Sequence, residues 1–410
     1  MNEKIVVMGI ALFLWTMGRG KGIPSLYRTL KGFTEAGHEV HLLLPFKEHE
    51  PAYELDDGIH IHRFKRPLKN IPQIRILGVL IQKISWLLFL LCATIKAYKI
   101  ARTIKPDVVY GFTSYGAPVA WIIGKIHRVP NITRLFGVQS LYPFLSQPIR
   151  LLSYLDLALP FKLKSSALII TNDGTQGDKV AEKLKVPPER LKFWMNGIDK
   201  STLNISGNEE VEKLRQSLKI DQNSKIILTV SRLVSVKRVD RLIRAIPAIV
   251  QGNKDVVFVI VGEGNQQLYL ENLSRQLSVA EHTRFTGAVL HESIPYYLNM
   301  ADIFVSLYDE SNLGNPLLEA MISGKCIVTL NTGATGQIIN HNYNGILLDS
   351  ADLDKLPETI KALLKDNELR TTLGKNARNY ALEHFQTWDE RVRMEVELVQ
   401  DLCKISKESR

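Results

Sequence analysis

Two short segments in the second half of the chain carry side chains suited to gripping a phosphate anion. In Ser231-Arg232-Leu233-Val234-Ser235-Val236-Lys237-Arg238, which follows the β-branched run Ile226 to Val230, Arg232 and Lys237 stand five residues apart. A planar guanidinium and a point-charge ammonium can together neutralise a diphosphate without a metal; a solvated basic loop has the same composition. The second segment, Tyr308 to Lys325, follows the run Ile303 to Leu307. Pro316 suits a first helical position and Gly324 a helix stop. Gly314 and Asn315 would then offer free backbone amides at the helix start, where anions bind. Glu319 lies one turn inside, its side chain tilted toward that end. There it could accept hydrogen bonds from a ribose diol or simply complement the helix dipole.

Other motifs are weaker. Val261-Gly262-Glu263-Gly264 and Phe285-Thr286-Gly287 end strand-like runs, and tight turns alone would account for their glycines. Gly18-Arg19-Gly20-Lys21-Gly22 is not a dinucleotide fingerprint, because Gly22 takes the third-glycine place one residue early. It reads instead as a loop wrapping an acceptor or phosphate. Asp352-Leu353-Asp354 has the spacing of a metal-binding pair but reads as helix-capping. The cysteines, Cys92, Cys326 and Cys403, are scattered and odd in number, which supports neither a zinc site nor a disulfide framework and fits a reducing cytoplasm.

The elements that must position these residues are strands and helices in alternation. Runs such as Ile5-Val6-Val7-Met8, Val40 to Leu44, Val108-Val109-Tyr110, Ile132 to Phe136 and Ala167 to Thr171 in the first half, and Val256 to Val261 and Cys326 to Leu330 in the second, are unbroken and apolar. Such runs suit strands buried on both faces of a parallel sheet. With 410 residues, 45% hydrophobic and 23% charged, the chain is long enough for two domains and excludes a mainly disordered or collagen-like protein. The pattern predicts an α/β fold of two Rossmann-like doubly wound parallel-sheet domains facing a cleft. The first would span 1–199, the second 200–387. Residues 388–410, with Val392, Val396, Val399 and Leu402 in register after Trp388, would form an amphipathic helix packing back on the first domain.

Charge is unevenly spread. The net +10 divides into 28 Lys/Arg against 15 Asp/Glu in residues 1–200, a balance of +13, and 24 against 27, or −3, in the remainder. Residues 61–105 hold ten basic residues and no acid, together with the most apolar run, Ile84 to Ile95. Twelve residues of helix span roughly 18 Å, too short for a bilayer core of ~30 Å. The segment is either a core helix with solvated ends or a docking surface for an anionic bilayer. No nucleic-acid-binding signature accompanies the charge, so a nucleic-acid partner is not expected.

Taken in order, Asn196-Gly197-Ile198-Asp199, Ser231-Arg232-Leu233 with Lys237, Val261-Gly262-Glu263-Gly264, Phe285-Thr286-Gly287, Leu317-Leu318-Glu319-Ala320-Met321 with Ser323-Gly324, and Phe385-Gln386-Thr387-Trp388 resemble glycosyltransferase family 4, the retaining GT-B enzymes. The first half matches more loosely, through the Gly18 loop, Glu35 to Val40 and Lys105-Pro106-Asp107-Val108-Val109. The resemblance implies a hexosyltransferase with a UDP- or GDP-sugar donor and a glycan or lipid-linked acceptor, peripheral on the cytoplasmic membrane face, with no metal or other cofactor. Arg232 and Lys237 would bind the donor diphosphate and stabilise the departing charge. Gly262, Glu263, Gly264, Ser311, Leu313, Gly314, Asn315 and Glu319 would complete the donor side. Gly18 and Gly20 would face the cleft from the acceptor side.

Departures from the pattern fall on the sugar-facing positions. Ser311 stands where the family usually has its first glutamate, and the adjacent Glu310 is the candidate to replace it. The family's histidine after the strand ending near Phe136 is absent, leaving Arg134 or Gln139 for sugar contacts. Arg238 replaces a usual glycine. These departures keep two other readings open: a sugar-nucleotide-binding protein without transferase activity, and a GT-B nucleotide-sugar epimerase.

Overall fold

The unbroken apolar runs form strands of two sheets, and the computed structural model describes residues 3–12, 23–46, 50–65, 77–139, 141–147, 154–199, 208–253 and 255–408. The chain divides into two units: residues 1–172, 176–196 and 388–410 in the first, residues 173–175 and 197–387 in the second. The short segment Asp173–Thr175 joins the second unit, and the main crossing into it falls at Asn196–Gly197, three residues before the expected position.

The first sheet contains β1 (Val6–Ile10), β2 (Glu39–Pro45), β3 (Tyr53–Asp56), β4 (Ile59–Phe64), β5 (Val108–Phe112), β6 (Asn131–Leu135), β7 (Ala167–Thr171) and β8 (Leu191–Trp194), in the order β3-β4-β2-β1-β5-β6-β7-β8. All neighbours are parallel except β3, which pairs antiparallel with β4. That edge strand was not expected: Tyr53-Glu54-Leu55-Asp56 is half polar and exposed, so it lacks the apolar signature of a central strand. The second sheet contains β9 (Lys225–Val230), β10 (Val256–Val261), β11 (Thr283–Gly287), β12 (Ile303–Ser306), β13 (Cys326–Leu330) and β14 (Ile346–Leu348). They are all parallel, in the order β11-β10-β9-β12-β13-β14. Strand order reverses between β9 and β12, so loops leaving their carboxyl ends border the usual ligand position of a doubly wound sheet.

In the first unit one face of the sheet is covered by helices Pro24–Glu35 and Trp388–Glu408, through Leu26, Leu30, Phe33, Val396, Val399 and Cys403. The other face is covered by helices Leu77–Ile104 and Thr113–His127. The apolar run Ile84 to Ile95 is therefore the middle of a helix of 28 residues, about 42 Å long, and not an isolated segment of twelve. Part of it, the 21 residues Ile84–Ile104, is long and apolar enough by composition to cross a membrane, but a third of that stretch is buried in the unit. Phe89, Ala93, Ala97 and Ala101 face the sheet. Ile84, Leu87, Leu88, Leu91 and Ile95 lie on the outer side, between 41% and 58% exposed.

Two expectations for residues 61–105 change. Arg63 is buried and paired with Glu50 and Glu54 at 2.9 and 2.8 Å, so it adds nothing to a basic surface. Arg66, Lys69 and Arg75 lie outside the described residues, as does the side chain of Lys83. In the second unit Asp352 belongs to a 3₁₀ turn, Ser350–Lys355, and pairs with Lys355 at 2.8 Å; it caps no helix by a side-chain hydrogen bond.

Candidate functional site

Arg232 leaves the carboxyl end of β9, and the turn after β10 fixes where it stands. Ser231 N–H donates to the Val261 carbonyl at 3.0 Å, Leu233 N–H to Glu263 at 2.8 Å, and Gln266 N–H to Leu233 at 2.9 Å. The two chains approach so closely that a Cβ at Gly262 would lie 1.9 Å from the Ser231 oxygen, and one at Gly264 2.2 Å from the Leu233 oxygen. Gly262 also has φ +131°, a backbone conformation side chains disfavour. These glycines, expected on the donor side, therefore act through backbone fit beneath Arg232. Gly262→Ala should cost more than about 1 kcal/mol, a fall in melting temperature of at least about 2–4 °C. An unchanged melting temperature would contradict this role.

Lys237 ends the 3₁₀ turn Ser235–Lys237, and its ammonium lies 3.9 Å from the centre of the Tyr308 ring, at the carboxyl end of β12. The Tyr308 hydroxyl donates to the Val230 carbonyl at 3.0 Å, tying β12 to β9. Burial pushes the Lys237 ammonium below its ordinary value and Arg232 pushes it the same way, while Asp173 and Glu310 pull it back. Arg232 and Glu310 are thus both within electrostatic reach of Lys237. Asp173 is an addition: burial raises its carboxyl against the hydrogen bonds it accepts from Thr175 at 3.1 and 2.5 Å.

The two basic-loop and acidic-loop segments are fastened by the neighbouring charges. Arg238 takes φ +47°, where the family's glycine would be unstrained, and holds Asp240 at 3.0 Å and Asp309 at 3.3 Å. Arg241 adds a second contact to Asp309 at 2.6 Å. Asn312 is fully buried and organises the rest of the loop. Its Oδ1 accepts from the Tyr308 N–H at 3.1 Å, and its Nδ2 donates to the Thr332 hydroxyl at 2.9 Å.

Two donor-side expectations, for Ser311 and Gly314, are corrected here. Ser311 directs its hydroxyl inward, donating to the Asp173 carbonyl at 2.8 Å and accepting from the Leu313 N–H at 3.2 Å, so its side chain serves the loop. The Leu313 side chain is buried. The Gly314 N–H is not free: it donates to the Asn312 carbonyl at 2.8 Å. Gly314 does cap helix Asn315–Ile322, whose second residue is Pro316. Glu319 is buried within that helix, and its Oε1 lies 2.9 Å from Nε2 of His291, in the turn before helix Ile294–Met300. His291 was not singled out in the sequence, where nothing marks a lone histidine as a carboxylate's partner.

On the first unit, Gly18 and Gly20 lie outside the described residues. Gln139 is exposed beyond the carboxyl end of β6 and holds φ +48°, a strained position for a glutamine. Arg134 is a correction. It is 2% exposed, with Nε 3.1 Å from Glu395 and a terminal nitrogen donating to Thr171 at 2.8 Å. Burial pushes it down to about 10. Arg391 holds the same Glu395 oxygen at 2.7 Å and donates from Nε to the Met195 carbonyl. Arg134 thus helps to fix the closing helix in the first unit and is occupied there.

Comparisons with known proteins bear on the family and the fold. Residues 25–202 match the family model described as Glycosyltransferase Family 4, and residues 210–380 the one described as Glycosyl transferases group 1. An uncharacterized glycosyltransferase of Methanocaldococcus jannaschii is 27% identical over 368 residues, 88% of each chain. A GDP-mannose-dependent alpha-(1-6)-phosphatidylinositol monomannoside mannosyltransferase of Mycobacterium tuberculosis is 27% identical over 210 residues, 50% of this chain and 54% of that enzyme. The fold matches that of Anabaena HepE, solved in complex with UDP-glucose, with TM-score 0.72 and 19% identity, covering 96% of this chain and 99% of that one. Sucrose-phosphate synthase of Thermosynechococcus elongatus gives TM-score 0.76 at 16% identity, over 97% and 99% of the two chains. The protein is therefore a glycosyltransferase of the GT-B class. Within that class it belongs with the family 4 enzymes.

Proposed function

We propose that this glycosyltransferase moves a hexose, with retention of anomeric configuration, from a UDP- or GDP-sugar to a hydroxyl of a glycan or lipid-linked acceptor, without a metal. The observation that carries the reading is the placement of Lys237 over Tyr308, with Arg232 close enough to disfavour its charge, at the carboxyl ends of β9 and β12. Two cations held that close are unfavourable until an anion joins them. As the bond between the anomeric carbon and the phosphate oxygen breaks, the departing diphosphate takes the electron pair, and the cations stabilise the charge that develops. The acceptor oxygen bonds to the anomeric carbon from the same face and its proton passes to the departing oxygen. Glu319, held by His291, accepts from the donor ribose, and Glu310 sets the charge around Lys237 from the sugar side.

The test is product analysis with a panel of UDP- and GDP-sugars, in metal-chelated buffer, with and without candidate acceptors. Acceptor-dependent release of nucleoside diphosphate and an α-linked product from an α-linked donor are expected. Complete dependence on added divalent metal, or an inverted product, overturns the corresponding part.

We also place the enzyme at the cytoplasmic membrane face, supported by the outer side of helix Leu77–Ile104. There Ile84, Leu87, Leu88, Leu91 and Ile95 form an apolar stripe at helical spacing, with exposed Lys99, Arg102 and Lys105 toward the helix's end and no acid within 61–105. Replacing Leu87 and Leu91 by Ser should weaken sedimentation with phosphatidylglycerol vesicles at least about tenfold, since each buried leucine is worth roughly 1.5 kcal/mol or more. Equal binding by the variant would remove the stripe from the interface.

A further inference from the structure

The outer strands of the first sheet carry a cluster that the transfer reaction does not use. His41 on β2 stands directly beside His60 on β4 in the parallel register, and Glu39 and His62 occupy the same face two residues along each strand. The strand pleat alone therefore gathers three imidazoles and a carboxylate. We propose that Glu39, His41 and His60 form a binding site for one first-row divalent metal ion of the zinc type, which clips β2 to β4.

The geometry supports ligation. One ligand atom from each of the three residues lies within 4.8 Å of the others. Tetrahedral zinc with bonds of about 2.0–2.1 Å needs ligand atoms about 3.3 Å apart, so side-chain rotations close the remaining distance. The His41 and His60 rings are stacked, with centroids 4.6 Å and planes 18° apart, so their in-plane nitrogen lone pairs run side by side and one ring turns about its Cβ–Cγ bond for both to meet one ion. The Tyr53 hydroxyl holds His60 at Nδ1, 2.7 Å away, so Nε2 is the nitrogen His60 has left to offer. Lys4 holds one Glu39 oxygen at 2.9 Å and, being exposed, can swing into solvent, while the other oxygen faces His41 Nε2 at 2.9 Å.

His62 supplies the proton relay that makes His41 a ligand. Its Nε2 is 3.0 Å from His41 Nδ1. Without metal, His62 Nε2–H donates to His41 Nδ1, and His41 Nε2–H donates to Glu39. With metal, His41 carries its proton on Nδ1 and donates to His62 Nε2, while His62 carries its own on Nδ1. Both rings stay neutral and no proton is lost, but the His41 Nε2 lone pair now faces the ion. A second partner of this kind on the far nitrogen is the usual companion of a ligating histidine. Two imidazoles and one carboxylate favour zinc, nickel or copper over magnesium or calcium, which take oxygen ligands. A fourth position stays open to water on the half-exposed side of His60.

The test uses the full chain without an affinity tag, stripped by chelator and dialysed. Titration with zinc chloride should show one ion bound per chain and a raised melting temperature, with no such rise from magnesium chloride. His60→Gln, at the more exposed position, and His41→Gln should abolish stoichiometric uptake. Tyr53→Phe should weaken it about tenfold, as expected for an orienting partner. Far-UV circular dichroism of His60→Gln should match the parent, separating lost binding from unfolding. The parent taking up no zinc at micromolar concentration, or His60→Gln binding as tightly as the parent, overturns the proposal. Neither result touches the assignment of the donor residues, which lie in the second unit.

Discussion

Replacing Arg232 and Lys237 together by Ala lowers the rate of glycosyl transfer by at least about 10³-fold, the order expected when preorganised charge stabilisation of a leaving group is removed. The same variant keeps its melting temperature within a few degrees of the parent. Arg232 is exposed and Lys237 half-buried, and Arg232 disfavours the charge on Lys237, so the folded state loses little when both go. A function held at some expense to stability is what a preorganised anion site produces. The single variant Lys237→Arg separates charge from packing. Burial and Arg232 lower the Lys237 proton affinity below the ordinary 10.5, so the cation is lost as pH rises through that lowered value. Transfer by the parent should accordingly fall on the alkaline side before an ordinary lysine would titrate, and Lys237→Arg should shift that fall to higher pH. Full transfer by the double variant would remove the diphosphate assignment altogether.

Much of this site is legible in the sequence because strand runs and the turns after them are local. The run before Ser231, the Pro316 helix start and the glycines of Val261 to Gly264 each announce an element end, and in a doubly wound sheet element ends are where ligands sit. The closing helix is legible from Val396 and Val399 for the same reason. What the sequence does not carry is the partner that each residue finds across the fold. Arg134 looks like a cation at a strand end until Glu395, far along the chain, takes its guanidinium. Gly314 looks like a free amide until Asn312 turns back to it. Ser311 and Asp173, Glu319 and His291, and Lys237 and Tyr308 all meet through sheet order, which no local pattern encodes. Strand β3 escaped because an exposed edge strand needs no apolar face, only a neighbour with free hydrogen-bonding groups.

Glu395→Leu should destabilise the protein by about 3–5 kcal/mol, because it removes the carboxylate that two buried guanidinium groups share. Glu395 is fully buried on the closing helix, and both arginines contact the same carboxylate oxygen, Arg134 from β6 and Arg391 from one turn earlier. The arginines are further held by Thr171, by the Met195 carbonyl and by the faces of Phe136 and Trp194, so neither can follow a lost partner into solvent without breaking those contacts. The expected fall in melting temperature is on the order of 10 °C, given the size of the unit. A triple variant, Arg134→Met, Glu395→Leu and Arg391→Met, should recover a large part of that loss, since exchanging a whole buried charge cluster for apolar side chains of similar volume avoids the unpaired cations. Chemical denaturation of the parent, single and triple variants checks both halves. If the single variant were as stable as the triple, the carboxylate would not be what reconciles the two arginines, and the apolar side of the closing helix, Val396, Val399 and Cys403, would have to hold it to the sheet unaided. Two like charges in a dry interior repel and draw no compensation from water, so the helix that brings Glu395 between them is held by that charge balance as well as by its packing.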